Sequence, residues 1–222
     1  LSRKVHGGAT LAATSSIDEP GFEAKASREL SEKEASGRAA ARLVRPGTAI
    51  AMSAGTTTWA LARYVSHVRD LTIVTNSIRV ADVLQQGSGS PTVILTGGVR
   101  TPSDALVGPV ADLAIRSLHF DMFFLGCHGM DPVAGLTAPN LAESETNRSF
   151  IRGARTVVLA ADHTKWGTVG LSSFANLSEV DILVTDPGLS AADLATATDH
   201  VDRVIVAGAE TDDASASLTA VH

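Results

Sequence analysis

Residues 49–58 read Ala-Ile-Ala-Met-Ser-Ala-Gly-Thr-Thr-Thr and carry the sharpest local pattern in the chain. A short aliphatic run, Ala49–Met52, leads into a turn of small residues at Gly55, and a helical window follows near Thr58–Val68. A buried strand that turns tightly into a helix is the opening of a strand–helix–strand unit. We therefore predict that Ala49–Met52 is one strand of a parallel sheet.

The same alternation of strand and helix repeats along the rest of the chain. Further strand candidates are Leu71–Thr75, Thr92–Thr96, Met122–Leu125, Thr156–Ala160, Ile182–Thr185 and Arg203–Val206. Helical windows lie near Ile78–Gln86, Ala105–Ser117, Ala142–Gly153 and Ala191–His200. This spacing predicts an α/β fold, with a mostly parallel Rossmann-like sheet and helices on both faces. The composition agrees, because 44% hydrophobic but only 4% aromatic residues suit strands that are buried by aliphatic side chains on both faces.

Composition also excludes several classes of protein. The chain has 222 residues, enough for one large domain or two small ones. Its net charge of −6 excludes a uniformly basic nucleic-acid binder. The single cysteine, Cys127, excludes a disulfide framework and a multi-cysteine metal site. There is no run of 18 apolar residues and no signal-peptide pattern, so we expect a cytoplasmic protein.

The start of the chain differs in charge from the remainder. The first 45 residues carry 8 basic and 6 acidic residues, whereas the others carry 10 and 18. We predict a linker over residues 1–28, an α/β domain over 29–209 and a disordered tail over 210–222. The domain opens with a helix that starts at Glu29 and ends before Pro46. One side of this helix is predicted to comprise Leu30, Ala35, Ala39, Leu43 and Val44.

Polar or glycine-rich turns follow five of the predicted strands, at residues 53–58, 76–77, 97–98, 126–129 and 162–165. Because ligands of open α/β sheets bind at the carboxyl ends of the strands, we expect these turns to converge on one binding site. The candidate binding residues are Ser53, Gly55, Thr56, Thr57, Thr75, Asn76, Gly97, Gly98, Arg100, Gly126, His128, Gly129 and Lys165.

The turn at Gly55–Thr57 suits an anion. A helix N-terminus exposes N–H groups and a partial positive charge, and threonine hydroxyls add donors. An ordinary threonine N-cap after a glycine turn explains the same residues. Lys165 and Arg100 are candidates to balance an anion's charge, and the amide of Asn76 suits a sugar hydroxyl. The stretch is neither a Walker loop nor a nucleophile elbow, since it lacks Gly-Lys-Ser/Thr and the first glycine of Gly-x-Ser-x-Gly.

Other chemistry has less support. His128 and His163, with Asp131 or Asp162, match no metal-ligand spacing, so we predict no metal and no cofactor. Glu143 and Glu145 open a helix, where acidic residues are favoured in any case.

Taken together, these motifs resemble the C-terminal effector-sensing domain of DeoR-type transcriptional regulators. Residues 3–9 are similar to the segment that leaves the family's DNA-binding wing, and Glu32-Lys33 to the start of its linker helix. The remaining motifs, in chain order, are Ser53-x-Gly55-Thr56-Thr57, Thr75-Asn76-Ser77, Gly97-Gly98, Gly108, Gly126-x-His128-Gly129-Met130-Asp131, Gly135-Leu136-Thr137 and Asp162-x-x-Lys165-x-Gly167.

The resemblance implies a fold shared with ribose phosphate isomerases and CoA transferases. It implies a regulator, usually a repressor and not an enzyme, whose sensing domain binds a phosphorylated sugar or related metabolite. The chain opens at Leu1 without Met, and the resemblance implies an upstream winged helix-turn-helix that binds operator DNA. Operators are commonly read by symmetric oligomers, so we expect a homo-oligomer.

Two positions depart from the family's pattern. Ser53 stands where the family usually has Asp, and Asn147-Arg148 stands where a Lys-Arg pair is usual. Both bear on the identity of the effector. The alternative function is an aldose–ketose isomerase acting on a sugar phosphate, which needs a carboxylate as general base. Ser53 argues against that alternative, and leaves Asp104 or Asp131 as the candidate base.

Overall fold

The computed structural model describes residues 3–5, 8–10, 21–26 and 29–208. Its strands are β1 (Arg3–Val5), β2 (Gly8–Thr10), β3 (Ala49–Met52), β4 (Thr72–Thr75), β5 (Thr92–Leu95), β6 (Val99–Arg100), β7 (Leu106–Val107), β8 (Met122–Leu125), β9 (Gly129–Asp131), β10 (Gly135–Ala138), β11 (Val157–Ala160), β12 (Ser172–Ala175), β13 (Ile182–Thr185) and β14 (Arg203–Val206). Its helices are α1 (Phe22–Ala26), α2 (Leu30–Ala41), α3 (Thr56–Val65), α4 (Ile78–Gln86), α5 (Pro109–Arg116), α6 (Leu141–Gly153) and α7 (Ala191–His200). The predicted tail at 210–222 and much of the predicted linker lie outside the described residues.

Seven strands form one sheet in the order β14-β13-β11-β8-β3-β4-β5, and every neighbouring pair is parallel. They are the seven strands predicted from the sequence, and no boundary differs by more than one residue. The predicted α/β fold with a Rossmann-like parallel sheet is confirmed.

The order of the strands reverses between β3 and β8. From β3 the chain proceeds through β4 to β5 at one edge, and from β8 it proceeds through β11 and β13 to β14 at the other. Ligands of open α/β sheets bind in the crevice at the carboxyl ends of the strands beside such a reversal. The topology therefore places the residues that follow β3 and β8 at this crevice.

Two apolar clusters cover the two faces of the sheet. Phe123 and Leu125 belong to one cluster and Phe124 to the other, because successive side chains of a strand point to opposite faces. Phe123 stacks on Phe150 of α6, with 4.8 Å between the ring centroids. The strands at the crevice therefore stand on a core that is packed from both sides.

The first helical window after β5 was predicted to begin at Ala105, which is too early. Leu106–Val107 instead pairs with Val99–Arg100 as the antiparallel hairpin β6–β7. Gly108 then adopts a φ of 92°, which is strained for other residues, and Pro109 occupies the first turn of α5. The glycine and proline thus separate a short strand from the helix.

A second, antiparallel sheet in the order β12-β10-β9 was not predicted. Its strands have three or four residues each, too few to show a clear period of two in the sequence.

Helix α2 packs against the body through small and polar residues. Its buried residues are Lys33, Ser36, Gly37 and Ala40. Leu30, at the first position of the predicted apolar side, does not pack against the body, since its side chain is 54% exposed. Ala39, Leu43 and Val44 do pack against the core. Helix α2 approaches α3 closely at Gly37. A β-carbon at Gly37 would lie only 2.8 Å from the backbone nitrogen of Leu61 in α3, so the lack of a side chain permits this packing.

Replacing Gly37 with Ala is expected to destabilise the protein by about 1–3 kcal/mol, because the added methyl group meets the backbone of α3. Glycine-to-alanine changes inside a helix ordinarily stabilise by roughly 0.5–1 kcal/mol, so the expected sign is reversed. Urea denaturation measures the free energy of unfolding, with Ser31→Ala at an exposed position of the same helix as the control. A gain in stability from Gly37→Ala would contradict the close packing.

Within the described part of the chain, no helix combines the length and the apolar character needed to span a membrane.

Candidate functional site

A cavity of about 610 Å³ opens at the crevice beside the strand reversal. Small-molecule sites commonly occupy roughly 300–1,000 Å³, so the volume fits a metabolite. The turns after β3, β8 and β11 form one side of the cavity, and the small sheet and the first turn of α6 form another. The lining also includes Phe22, Glu29 and Lys33, which precede the large sheet in the chain, and Ser103 from the β6–β7 turn.

Six of the predicted binding residues line this cavity, namely Gly55, Thr56, Thr57, Gly126, His128 and Lys165. Helix α3 begins here, because Gly55 is extended with a φ of 166° and precedes its first turn. The first N–H groups of a helix have no partner within it, so this helix end offers donors and partial positive charge to the cavity.

Ser53 and Thr75 lie beneath the lining and are almost completely buried. The backbone N–H of Gly126 donates to Ser53 Oγ at 3.3 Å, which joins the ends of β3 and β8. Thr75 Oγ1 donates to the carbonyl oxygen of Met52 at 2.7 Å. These side chains therefore hold the strand ends together.

Asn76 and Gly129 also lie outside the lining. The Asn76 side chain accepts from the N–H of Ala54 at 2.9 Å and donates to the carbonyl of Leu106 at 3.0 Å, which connects the turn after β3 to β7. A β-carbon at Gly129 would lie 1.9 Å from the carbonyl oxygen of Thr168. Asn76 therefore supports the site through side-chain hydrogen bonds to the backbone, and Gly129 through close backbone packing.

Gly97, Gly98 and Arg100 lie beyond the cavity, around the β6–β7 hairpin. Gly98 has a φ of 119°, and a β-carbon there would lie 2.7 Å from the carbonyl oxygen of Val107. The Arg100 side chain is 62% exposed and forms an ion pair with Asp104 at 2.5 Å. The structure thus brings six of the thirteen predicted residues to the cavity surface.

Two lysines from distant parts of the chain meet at the cavity. Lys165 follows β11 in a 3-10 turn, and Lys33 reaches the cavity from α2. Lys33 Nζ lies 3.8 Å from Asp162 Oδ2, and both side chains are buried. Burial lowers the pKa of Lys33; Asp162 opposes this effect and the charge of Lys165 adds to it. The carboxylates of Glu29 and Glu32 also act on Lys33. Lys33 and Lys165 are the ammonium groups in this lining with which a bound anion would pair.

Asp162 orients this turn from beneath the cavity. Its Oδ1 accepts from the N–H of Thr164 at 3.1 Å, as an N-cap of the 3-10 turn, and the residue lies outside the lining. Its buried Oδ2 has no hydrogen-bond partner in the described structure.

Sequence reasoning assigned no binding role to several residues that line the cavity. They include Phe22, Lys33, Ser103 and Glu143. Asn147, which the sequence connected with the identity of the effector, also lines the cavity. The sequence did single out Lys33, since it belongs to the Glu32-Lys33 motif at the start of the linker helix. Ser103 and Glu143 carried no such signal, because only the folded chain brings Ser103 Oγ within 3.1 Å of Glu143 Oε1.

The two carboxylates proposed as a general base have other partners. Asp104 pairs with arginines, and Asp131 Oδ1 accepts from the N–H groups of Val133 and Ala134 at 2.8 Å each. Neither lines the cavity. Cys127 does, but burial raises the pKa of its thiol to about 12, so it is protonated at neutral pH. Among the described residues, no three His, Cys, Asp or Glu side chains are grouped to hold a metal ion.

Asp104 predicts a dependence of stability on acidic pH. The hydrogen bond from Arg79 Nε, at 2.6 Å, lowers the pKa of Asp104 below that of an unfolded chain, about 3.9. A lowered pKa contributes stability above the unfolded value, which is lost as the pH falls through the folded value. The free energy of unfolding should therefore decline less between pH 5 and 3 in Asp104→Asn than in the wild type. Equal declines in urea denaturation would contradict this role, and the exposed Asp202→Asn serves as control.

Comparison with known proteins identifies a matching family and several relatives of this chain. A family model described as the DeoR C terminal sensor domain matches residues 28–187. An uncharacterized HTH-type transcriptional regulator of Escherichia coli K12, YgbI, is 37% identical over 172 residues, which cover 77% of this chain and 67% of the relative. The glycerol-3-phosphate regulon repressor of the same strain is 30% identical, covering 88% of this chain and 77% of its own. A solved ribose 5-phosphate isomerase from Methanocaldococcus jannaschii shows only a remote likeness, with a TM-score of 0.45 and 13% identity over 61% of this chain and 54% of that one.

Proposed function

The chain belongs to the family of DeoR C-terminal sensor domains, and on that basis we propose that it senses a small phosphorylated sugar or related metabolite for a transcriptional regulator. The observation that carries the proposal is the meeting of Lys33, Lys165 and the N-terminus of α3 at one cavity. A phosphate group needs N–H donors and cationic partners, and these three elements supply both.

Lys33 also supplies a route from ligand to regulation. It belongs to α2, so a ligand that contacts Lys33 and Lys165 bridges this helix and the sheet edge. A ligand shifts an equilibrium between two conformations only if it binds one of them more tightly than the other. Here the two conformations differ in whether α2 is held against the cavity. The effector therefore favours the state in which α2 is held against the cavity. The position of α2 is the change that the regulator transmits.

The relatives support the remaining parts of the proposal. One is named as the repressor of a glycerol-3-phosphate regulon, which favours a phosphorylated effector and repression of transcription. Operator DNA would be bound by an upstream winged helix-turn-helix, in a cytoplasmic homo-oligomer that matches a symmetric operator. We propose binding without catalysis, because the two expected carboxylate bases are engaged outside the cavity.

A thermal-shift assay of this chain tests the proposal. The panel contains glycerol 3-phosphate, ribose 5-phosphate and fructose 6-phosphate, each beside its unphosphorylated parent. A ligand at 100 times its dissociation constant stabilises by about 2.7 kcal/mol, a clear rise in melting temperature. We expect a rise with at least one phosphate and with none of the parents. No rise with any phosphate would overturn the proposal, and conversion of ribose 5-phosphate to its ketose would establish the isomerase alternative.

A further inference from the structure

Strand β5 forms one edge of the seven-stranded sheet, and within the described part of the chain no strand pairs with its outer side. The N–H groups of Thr92 and Thr96 donate to carbonyl oxygens at the two ends of β4, at 2.9 and 3.0 Å. Because alternate residues of a strand direct their backbone groups to opposite sides, those of Val93 and Leu95 point away from β4. The edge therefore offers donors and acceptors to another strand.

The β5 edge carries none of the usual protection against pairing with another chain. Exposed edges commonly bear charged residues, a proline within the strand or a bulge. The stretch from Gly87 to Val99 has no charged residue, and its proline, Pro91, precedes the strand. The opposite edge differs, because β14 begins at the exposed Arg203 and its other residues are half-buried. Of the two edges, β5 is the one open to pairing.

Exposed apolar side chains surround the free edge. Ile94 lies on the sheet face that α5 covers, because its register partner Val74 and Ile115 of α5 belong to one apolar cluster. Val110 of α5 lies close to the chain that leaves β5, since a β-carbon at Gly97 would be 3.6 Å from its Cγ1. The apolar residues of β5, β6 and α5 that are between 40% and 73% exposed are Ile94, Leu95, Val99, Val110 and Leu113. Apolar surface of this kind marks sites of protein–protein contact.

A second copy of this chain supplies an edge of complementary geometry. In an antiparallel pair, opposed residues alternately exchange two hydrogen bonds or none. A two-fold axis at Ile94 places Val93 opposite Leu95 of the second copy, so the residues whose backbone groups point outward exchange the hydrogen bonds. Ile94 then faces its own counterpart in a pair without hydrogen bonds. Each of these opposed pairs is apolar, and such pairs stabilise a sheet.

Symmetry and size also favour a second copy over other arrangements. Pairing of β5 with β14 of another copy would leave one edge free in each molecule and continue into an open chain, whereas pairing of β5 with β5 closes as a dimer. The absence of charge suits self-pairing, since identical charges would be opposed at the axis. A stable interface takes roughly 20–30 residues a side, so the exposed sides of β6 and α5 must extend the contact made by β5.

We propose that the β5 edge is the interface of a homodimer, in which two copies pair β5 antiparallel about a two-fold axis at Ile94 and bury the exposed apolar side chains of β6 and α5. This inference rests on the proposed function in one respect, since that function expects a homo-oligomer that matches a symmetric operator. The exposed apolar residues of this interface do not line the cavity, so pairing and ligand binding are measured separately.

Sedimentation velocity at tens of micromolar tests the interface. Ile94→Lys places two ammonium groups opposite each other at the axis, where like charges are destabilising. We expect the wild type to sediment as a dimer, or as a closed assembly of dimers, and Ile94→Lys to have at most half that mass. Val133→Lys is the matched control, because Val133 is 94% exposed in the turn between β9 and β10 and gains the same charge. It should keep the wild-type mass.

A cysteine at the axis tests the register. The β-carbons of directly opposed residues lie about 4.5–5.5 Å apart, and closest in pairs without hydrogen bonds, near the separation that a disulfide requires. Mild oxidation of Ile94→Cys should therefore give a covalent dimer on non-reducing electrophoresis. Val133→Cys should stay unlinked under the same treatment. The native Cys127 does not compete, because burial raises the pKa of its thiol to about 12 and thiolate is the reactive form.

The outcomes separate this interface from the sensing function. A monomeric wild type, an unchanged mass of Ile94→Lys, or an equal loss of mass in Val133→Lys would refute the β5 interface. Growth of the wild type into open polymers would indicate pairing of β5 with β14, and a dimer in which Ile94→Cys stays unlinked would exclude the two-fold axis at Ile94. Cooperative thermal unfolding of Ile94→Lys shows that a lower mass does not come from misfolding. A monomer that responds to a sugar phosphate would refute the interface alone, whereas a dimer that responds to none would refute the sensing function alone.

Discussion

Replacing Lys165 with Met is expected to weaken binding of the sugar phosphate that gives the largest thermal shift by at least tenfold. Lys165 lines the cavity at the end of β11, and residues of the first turn of α3 line the same cavity. A hydrogen bond to a charged group contributes about 1.5–3 kcal/mol, which corresponds to a factor of roughly 10 to 150 in affinity. Methionine keeps the unbranched apolar stem of the side chain and removes the terminal ammonium group with its charge and donors.

Titration calorimetry measures this loss, and the unphosphorylated parent provides a comparison because it lacks the group that Lys165 contacts. Arg203→Met is the matched control, since it removes an exposed cation from β14 at the far edge of the sheet. Binding that Lys165→Met leaves unchanged would remove Lys165 from the site. An equal loss in both variants would point to a general effect of net charge.

The second large effect is expected at Gly129, which belongs to the same sequence motif as Gly126. Gly129→Ala is expected to destabilise the protein by about 3 kcal/mol or more, because its β-carbon would lie 1.9 Å from the carbonyl oxygen of Thr168. In a domain of this size that corresponds to a fall of roughly 6–12 °C in melting temperature. The backbone must shift where β9 meets residues 166–168, just beyond Lys165.

Gly126→Ala should behave in the opposite way. The nearest atom to its β-carbon is the carbonyl oxygen of Ala160 at 3.9 Å, an ordinary contact, so stability should change by only about 0.5 kcal/mol. Gly126 lines the cavity, however, and the methyl group would occupy space that a ligand needs. We expect normal thermal unfolding and weakened binding. Similar melting temperatures for the two variants would contradict the distinction between a supporting and a lining glycine.

The sequence predicted which turns meet at the cavity better than it predicted which of their residues line it. Glycines and polar residues after the strands are visible locally, and the parallel sheet brings several of these turns together at the cavity. Whether a residue of these turns lines the cavity depends on how deeply its side chain is buried in the folded protein. Local sequence patterns do not show this. Ser53, Thr75 and Asn76 follow strands as the predicted lining residues do, yet their side chains are buried and bond to backbone groups.

By itself the sequence determined the strands, the alternation of strand and helix that predicts a parallel sheet, and the glycine turn before α3, because these patterns are local. Only the tertiary structure decided that Lys33 from α2 and Glu143 from α6 complete the cavity. Their partners, Asp162 and Ser103, are far away in the chain. The packed face of α2 is also a tertiary outcome, because Gly37 permits an approach to α3 that hydrophobic periodicity does not measure. Local patterns specify elements, whereas the contacts that define this site form only when distant elements are packed against one another.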